Sequence, residues 1–455
     1  MRKILLLLIL FSFQPIFGQG KEIIVTGKTL RGYVVENEDF REVTGNVVMV
    51  QGDVVITCDR AIQNMTKNSA ELIGNVIVTS DTVKIYAPRG FYFGNEEMAF
   101  SNSGVRLIDG IMELTAKNGY YYFEEDKAHF YDKVKLIDTA RTLYSSELYH
   151  YHKENRTLAT GKALVSDSVS TLRADTVINF RDKKETFAYG RVSIQGIEDN
   201  VIIFGDSLSD KSENEYTRIT GNPFLMKEDT TESGEIDTLF ISSVIMESIK
   251  DSQQTLIMTD SVKILRQDLA SVNDITYFYR SQDRIETYKV SEDEDQPVVW
   301  NENTQLLGDS MSIFLDGNRL DHVEVFRNTS IISDVENYPE RHDQISGDYV
   351  LMNFEEGRLS NTYVKGSVLS IYFLFEEEQP NGILKSSSEE AKILFEENKV
   401  TDVKLYGSPI TEYHPENLVV DKIYDFLIPT YSIKTNKPEK NRFLEKLSKF
   451  ELYGY

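Results

Sequence analysis

Few residues in this chain of 455 are placed to do chemistry. His150 and His152 stand two apart, which on a strand puts both imidazoles on one face, an arrangement a zinc ion accepts. The sequence offers no evident third ligand, so the pair reads as polar residues beside a turn and no metal is assigned. Cys58 is the single cysteine. It cannot close an internal disulfide, and its alternating apolar neighbours make it a small core residue rather than a reactive thiol. Asp59, Asp175 and Asp206 recur after a small residue at the end of a strand. A row of such aspartates would suit calcium, but Pro88, Lys117 and Ser146 interrupt it, and a turn-forming role fits better. No GxSxG, HExxH, CxxC or phosphate-cradling glycine loop occurs. No catalytic residue and no cofactor is therefore assigned, and the chain does not read as an enzyme.

Charge and termini narrow the field further. Lysine and arginine number 49 against 73 acidic residues, a net charge of −24, which argues against nucleic acid and anionic membrane faces as partners. Residues 1–18 have the layout of a secretory signal peptide: Arg2 and Lys3, an apolar run from Ile4 to Phe13, and Gly18 as the expected cleavage site. The mature protein is expected to be exported.

With chemistry so sparse, the elements become the message. Val47, Val76, Val105, Val134, Ala163 and Val192 follow at steps of 29 residues. In the same register come Met49, Val78, Leu107, Leu136, Val165 and Ile194, and then Ile56, Ile85, Leu114, Leu143, Leu172 and Val201. Spacing of two within each unit makes these strands with one apolar face; Thr79, Lys84, Arg106, Glu113, Lys135 and Thr171 lie on the other. Polar turns fall at TKNS (66), GNEE (94), EEDK (124), HKEN (152) and RDKK (181), each followed by a second apolar segment. A unit is then a pair of strands of roughly ten residues each. It cannot bury its apolar face alone and must stack on its neighbours.

The period loosens after Gly190, with an insertion expected at GIEDN (196–200). The regular repeats are assigned to 19–290, an acidic linker or loop to 291–303 around SEDEDQP, and a second repeat segment to 304–430, where RLDHVEVFRN, RLSNTYVKGS and KVTDVKLYGS share one pattern. In the tail, 431–455, Phe443, Leu444, Leu447 and Phe450 fall at helical spacing and predict an amphipathic cap over the last rung.

The fold class is all-β, a repetitive antiparallel rolled sheet with repeats of about 29 residues; the alternative is a parallel β-helix. One marked polar turn per unit favours up-and-down strands. Small residues such as Ala87, Gly90 and Ala116 stand where a sheet must bend.

GNVVMVQGDVVITCDRA (45–61) and GNVIVTSDTVKIYAPRG (74–90) resemble the OstA/LptA family of periplasmic lipopolysaccharide-transport proteins, most strongly over 40–190. The resemblance implies a β-taco or β-jellyroll whose groove holds lipid acyl chains in the periplasm. It also implies partners: an inner-membrane LptC-like protein, an outer-membrane LptD-like protein, and end-to-end self-association, all by edge-strand stacking near Gly27–Gly45 and the C-terminal units. Carried onto this chain, the groove would be lined by Val47, Met49, Val54, Ile56, Val76, Val78, Val83, Ile85, Val105, Leu107, Met112, Leu114, Val134, Leu136, Leu143, Val165 and Leu172. Two other readings stand beside this one: a closed structural or adhesive β-solenoid, and a β-helical polysaccharide-active enzyme. The second needs convergent acidic and basic residues on one outer face, and the sequence shows no such set.

Overall fold

A computed structural model describes residues 23–451, apart from 198–199, 231–233, 235, 268, 292–294, 317–318, 356–357, 378 and 397–398. The expected signal peptide lies outside the described residues. The chain divides into two compact units, Met1–Ala159 and Thr160–Tyr455. Among the described residues no helix is long and apolar enough to cross a membrane.

The N-terminal unit is an up-and-down run of antiparallel strands. Val54–Asn64 pairs with Glu38–Gln51 on one side and Ser69–Ser80 on the other, and Ser69–Ser80 pairs in turn with Val83–Phe93. The pairings of the described residues that bear on the repeat are antiparallel throughout, which removes the parallel β-helix. Tight turns close Gln51 onto Val54, Ser80 onto Val83 and Asp109 onto Met112. The longer turns fall where the polar tetrapeptides predict them, closing Asn64 onto Ser69, Phe93 onto Met98 and Tyr122 onto Lys127.

The strands are longer than their sequence pattern suggests. Glu38–Gln51 has 14 residues and Ser69–Ser80 has 12, because the chain runs straight through the Gly-Asn pairs that head each repeat. Gly45 and Asn46 have φ of +79° and +51°, and Gly74 and Asn75 have +76° and +46°. Two successive left-handed residues make a bulge: Thr44 faces Arg60 and Val47 faces Cys58, so Gly45 and Asn46 together oppose Asp59 alone. A bulge bends its strand and sharpens its twist. Each strand is therefore a V with two arms, and the second apolar segment read after each polar turn is the other arm of the strand that follows.

The recurrent aspartates sit at these corners rather than in turns. Asp59 lies inside the strand Val54–Asn64, where its Oδ2 accepts a hydrogen bond from Asn75 Nδ2 at 2.9 Å and its carboxylate packs on Gly74. Asp175 likewise meets Gly190 and accepts from Arg191 Nε at 3.0 Å. Pro88 occupies the same place opposite Gly74 and Asn75, where the ladder is interrupted and a missing N–H costs nothing. At Gly74 a Cβ would need left-handed backbone and would run into Asp59. Gly74→Ala is expected to cost about 1–2 kcal/mol, read as a lowered urea midpoint with an unchanged m-value.

The C-terminal unit repeats the design with longer arms: Arg319–Val335, Tyr338–Glu355, Arg358–Glu376 and Gln379–Glu396 run 17 to 19 residues. Their corners again carry paired left-handed residues, as at Arg327-Asn328 and Gly366-Ser367. Residues 291–303 do not separate two sheets. Val298–Asn301 is a strand paired with Leu269–Tyr279, Arg284–Tyr288 pairs across the segment with Ser310–Asp316, and Val298, Val299 and Trp300 are buried. The ladder of described strands runs on across this segment.

The tail forms the helix Lys440–Glu451, but not over the last rung. Phe443 is buried and stacks 5.4 Å from Phe240 and 6.0 Å from Phe224, far from the last strand in sequence. The segment leading to it lies along the outer face of the unit. Gln344 Nε2 donates to the Phe426 carbonyl at 3.3 Å while its Oε1 accepts from Ile428 N at 3.0 Å. Gln305 does the same with Ser432 O and Lys434 N, at 2.6 and 2.7 Å. Two side-chain amides thus stand in for a strand's backbone. Under this strap Ile371 and Phe373 are buried outward while Val368 and Ser370 are buried inward, which explains the unbroken apolar run IYFLF.

Candidate functional site

The candidate groove is a continuous aliphatic row. In the N-terminal unit Val25, Met49, Ile56, Val78, Ile85, Leu107, Leu114, Leu136 and Leu143 face one another in direct cross-strand register from each strand to the next. A second row pairs Val47 with Cys58, Val76 with Ala87, Val105 with Ala116 and Val134 with Ser145. Val54, Val83 and Met112 finish the arms, each directly after a tight turn. All of the groove residues named from the sequence in this unit are buried, with Leu107 and Leu114 at 0% exposure. In the C-terminal unit Leu172 is buried and faces Ile194, whereas Val165 is half-buried.

The C-terminal unit has its own row, through Ile194, Ile203, Leu225, Ile241 and Ile264, then Ser271, then Val299, Leu306, Ile331 and Ile345. It then changes character. Ile345 faces Ser370, Ser370 faces Ser386, and Ser386 faces Thr411, with Ser386 and Thr411 hydroxyls 3.1 Å apart. The far end of the row is lined by hydroxyls.

What the sequence did not reveal is how the N-terminal arms meet. The opposing arm contributes Leu72, Gly90, Ala99 and Phe130, and between the arms lies a cavity of only about 20 Å³, room for a water and not for an alkyl chain. The mouth of the V is sealed by a polar seam joining tight-turn tips to long-turn tips. Gln51, 4% exposed, donates to the Gly94 carbonyl at 3.0 Å and accepts from the Tyr92 hydroxyl at 2.8 Å. Farther along, Asp109 Oδ2 lies 2.7 Å from His152 Nδ1 and 3.4 Å from His150 Nε2. Asp109 is the third group that the sequence did not supply to the histidine pair. No local signal marks it, since the partners lie 41 and 43 residues away.

Electrostatics along the seam follow from burial. Hydrogen bonds from His150 and then His152 hold the Asp109 carboxyl down to about 2 against the opposing effect of burial, so it is ionised at neutral pH. Burial raises the Tyr121 hydroxyl well above its ordinary value, and its hydrogen bond to Asp126 adds to this. Cys58 is buried, its thiol pushed up to about 11 by desolvation, which makes it an inert core residue.

The outer row is ordinary surface. Arg106 and Glu113 form an ion pair at 2.7 Å with both side chains largely exposed, a contact worth little. The sheet edges differ from the interior. Ile24, Leu30 and Val34 near the N-terminal edge, and Ile410 and Tyr413 on the last strand, are each more than half exposed.

Comparison with known proteins agrees with the repeat. Residues 21–110 match the family model described as OstA-like protein. No curated protein matches the chain. Among solved structures, LptH, the LptA homologous periplasmic component of the conserved lipopolysaccharide transport device from Pseudomonas aeruginosa, is 13% identical over 31% of this chain and 83% of its own, with a TM-score of 0.17. At that score the likeness carries no argument, and the fold rests on the pairing itself. Residues 21–110 are similar to the OstA-like family, and the antiparallel repeat they begin runs on beyond them.

Proposed function

We propose that this protein is a periplasmic lipid-binding bridge or chaperone that carries lipopolysaccharide toward the outer membrane, with the acyl chains against its inner aliphatic row. The observation that carries the reading is that row: aliphatic side chains in unbroken register over nine strands, with no chemistry inside. Sequestering a methylene is worth roughly 0.8 kcal/mol, so a multi-chain lipid gains much from any apolar interior. Over the N-terminal unit the lining is uniform and offers no deep trap along the way. Nothing in the row binds a nucleotide, so the driving force would come from partners. LptC-like and LptD-like proteins, or a second copy, would add strands at the exposed edges around Leu30 and Ile410.

Around Val78 and Ile85 the cavity is too small for an acyl chain, so loading there would require the arms to part. The small cavity also favours a second reading, a closed β-solenoid in which the same aliphatics are permanent core. Photocrosslinking in the exporting cell separates the two. A leucine-sized diazirine residue is placed at Val78 or Leu107, with controls at Lys84 and Glu113 on the outer row. Lipopolysaccharide adducts at the inner pair alone are the expected result. A folded protein that yields adducts at none of the four positions is a sealed solenoid.

A further inference from the structure

We propose that Asp109, His150 and His152 form a binding site for a divalent transition-metal ion of the zinc class, and that the bound ion latches the seam of the N-terminal unit. The inference is independent of what the interior carries. Among the described residues this is the one group of three acidic, histidine or cysteine side chains whose ligand atoms converge, all within 4.8 Å of one another. The remaining described histidines each meet a single carboxylate: His129 with Glu147, His322 with Asp321, His342 with Asp334 and His414 with Glu412.

The second partners of the cluster prepare the ligand atoms. Thr157 Oγ1 lies 3.2 Å from His150 Nδ1, placed to accept the Nδ1 proton when an ion takes the place of the proton on Nε2. The Thr82 hydroxyl donates to Asp109 Oδ1 at 3.4 Å and leaves Oδ2 facing the imidazoles. Such outer hydrogen bonds orient the ligands of known metal sites. Ligands about 2.0–2.1 Å from a tetrahedral ion stand roughly 3.3 Å apart. The His150–Asp109 separation of 3.4 Å already matches, and His152, at 2.7 Å, has to withdraw by about half an ångström. Two imidazoles and one carboxylate select zinc, nickel or copper over calcium or magnesium, which want oxygen alone.

The site has a built interior and an entrance. The side chains of His150 and Asp109 are 4% and 10% exposed, and that of His152 is 22% exposed. Asp109 ends a strand at a tight turn, while His150 lies near the end of a strand and His152 begins the long turn that follows it. An ion shared among them crosses the seam and ties one arm to the other.

The test uses the untagged full-length mature protein, stripped with a chelator and titrated calorimetrically with zinc chloride. One equivalent is expected to bind. His152→Gln, at the most accessible ligand, should keep its circular dichroism spectrum and lose at least tenfold in affinity; Thr157→Val should weaken binding by a smaller factor, and His414→Gln should leave it unchanged. Hydrogen exchange should slow on zinc addition around residues 109–112 and 150–153 in the wild type and not in His152→Gln. No stoichiometric uptake by the wild type, or equal uptake by folded His152→Gln, overturns the site. Stoichiometric uptake without slower exchange at the two turns overturns the latch.

Discussion

Leu107→Asp is expected to unfold the N-terminal unit, whereas Glu113→Ala, on the outer row of the neighbouring strand, changes stability by less than about 0.5 kcal/mol. Leu107 is fully buried and sits mid-row, facing Ile85 on one side and Leu114 on the other. Removing its side chain costs about 2–5 kcal/mol in transfer and cavity terms. The carboxylate that replaces it finds no donor among the aliphatics, and an unpaired buried charge adds several kcal/mol more. The sum reaches the 5–15 kcal/mol that holds a whole domain together. Urea denaturation followed by circular dichroism checks it: the variant should show no folded baseline, while Leu107→Ala keeps a transition at lower urea. A Leu107→Asp protein as stable as the wild type would mean that the row is solvated, and the sealed interior described above would be wrong.

Arg341→Ala is expected to lower stability by about 3–5 kcal/mol and to release the strap on the C-terminal unit. Arg341 is 3% exposed. Its two terminal nitrogens donate to the Glu416 carboxylate at 3.1 and 2.6 Å, and its guanidinium carbon lies 5.3 Å from the ring centroids of both Tyr338 and Phe373. Glu416 begins the short helix Glu416–Val419, where the strap starts, so the pair pins the strap at its root. Alanine empties a flat slot between two rings and leaves Glu416 without its bidentate partner. Glu416 keeps 25% side-chain exposure, so Glu416→Gln should cost less than Arg341→Ala. Limited proteolysis reads the second half of the prediction: new cleavage between residues 420 and 440 in Arg341→Ala and none in the wild type. Unchanged protease resistance would show that the Gln305 and Gln344 amides hold the strap unaided.

Sequence alone determined whatever depends on neighbours along the chain. Side chains of a strand alternate between faces whatever lies across from them, so Val76, Val78, Val83 and Ile85 declared an apolar face. Asn68 and Asp126, both left-handed in the long turns, explain why the polar tetrapeptides marked those turns. All-β architecture and antiparallel pairing followed from the same local rules. Tertiary structure alone decided how far the arms fold toward each other, because that angle accumulates over bulges such as Gly74-Asn75 opposite Pro88, whose bend no single residue type encodes. It placed Asp59 in a corner instead of a turn, and it carried Phe443 past the last rung to Phe224 and Phe240. It also brought Asp109 to His150 and His152. Those contacts join residues dozens of positions apart, and only closing the V gives them a common place.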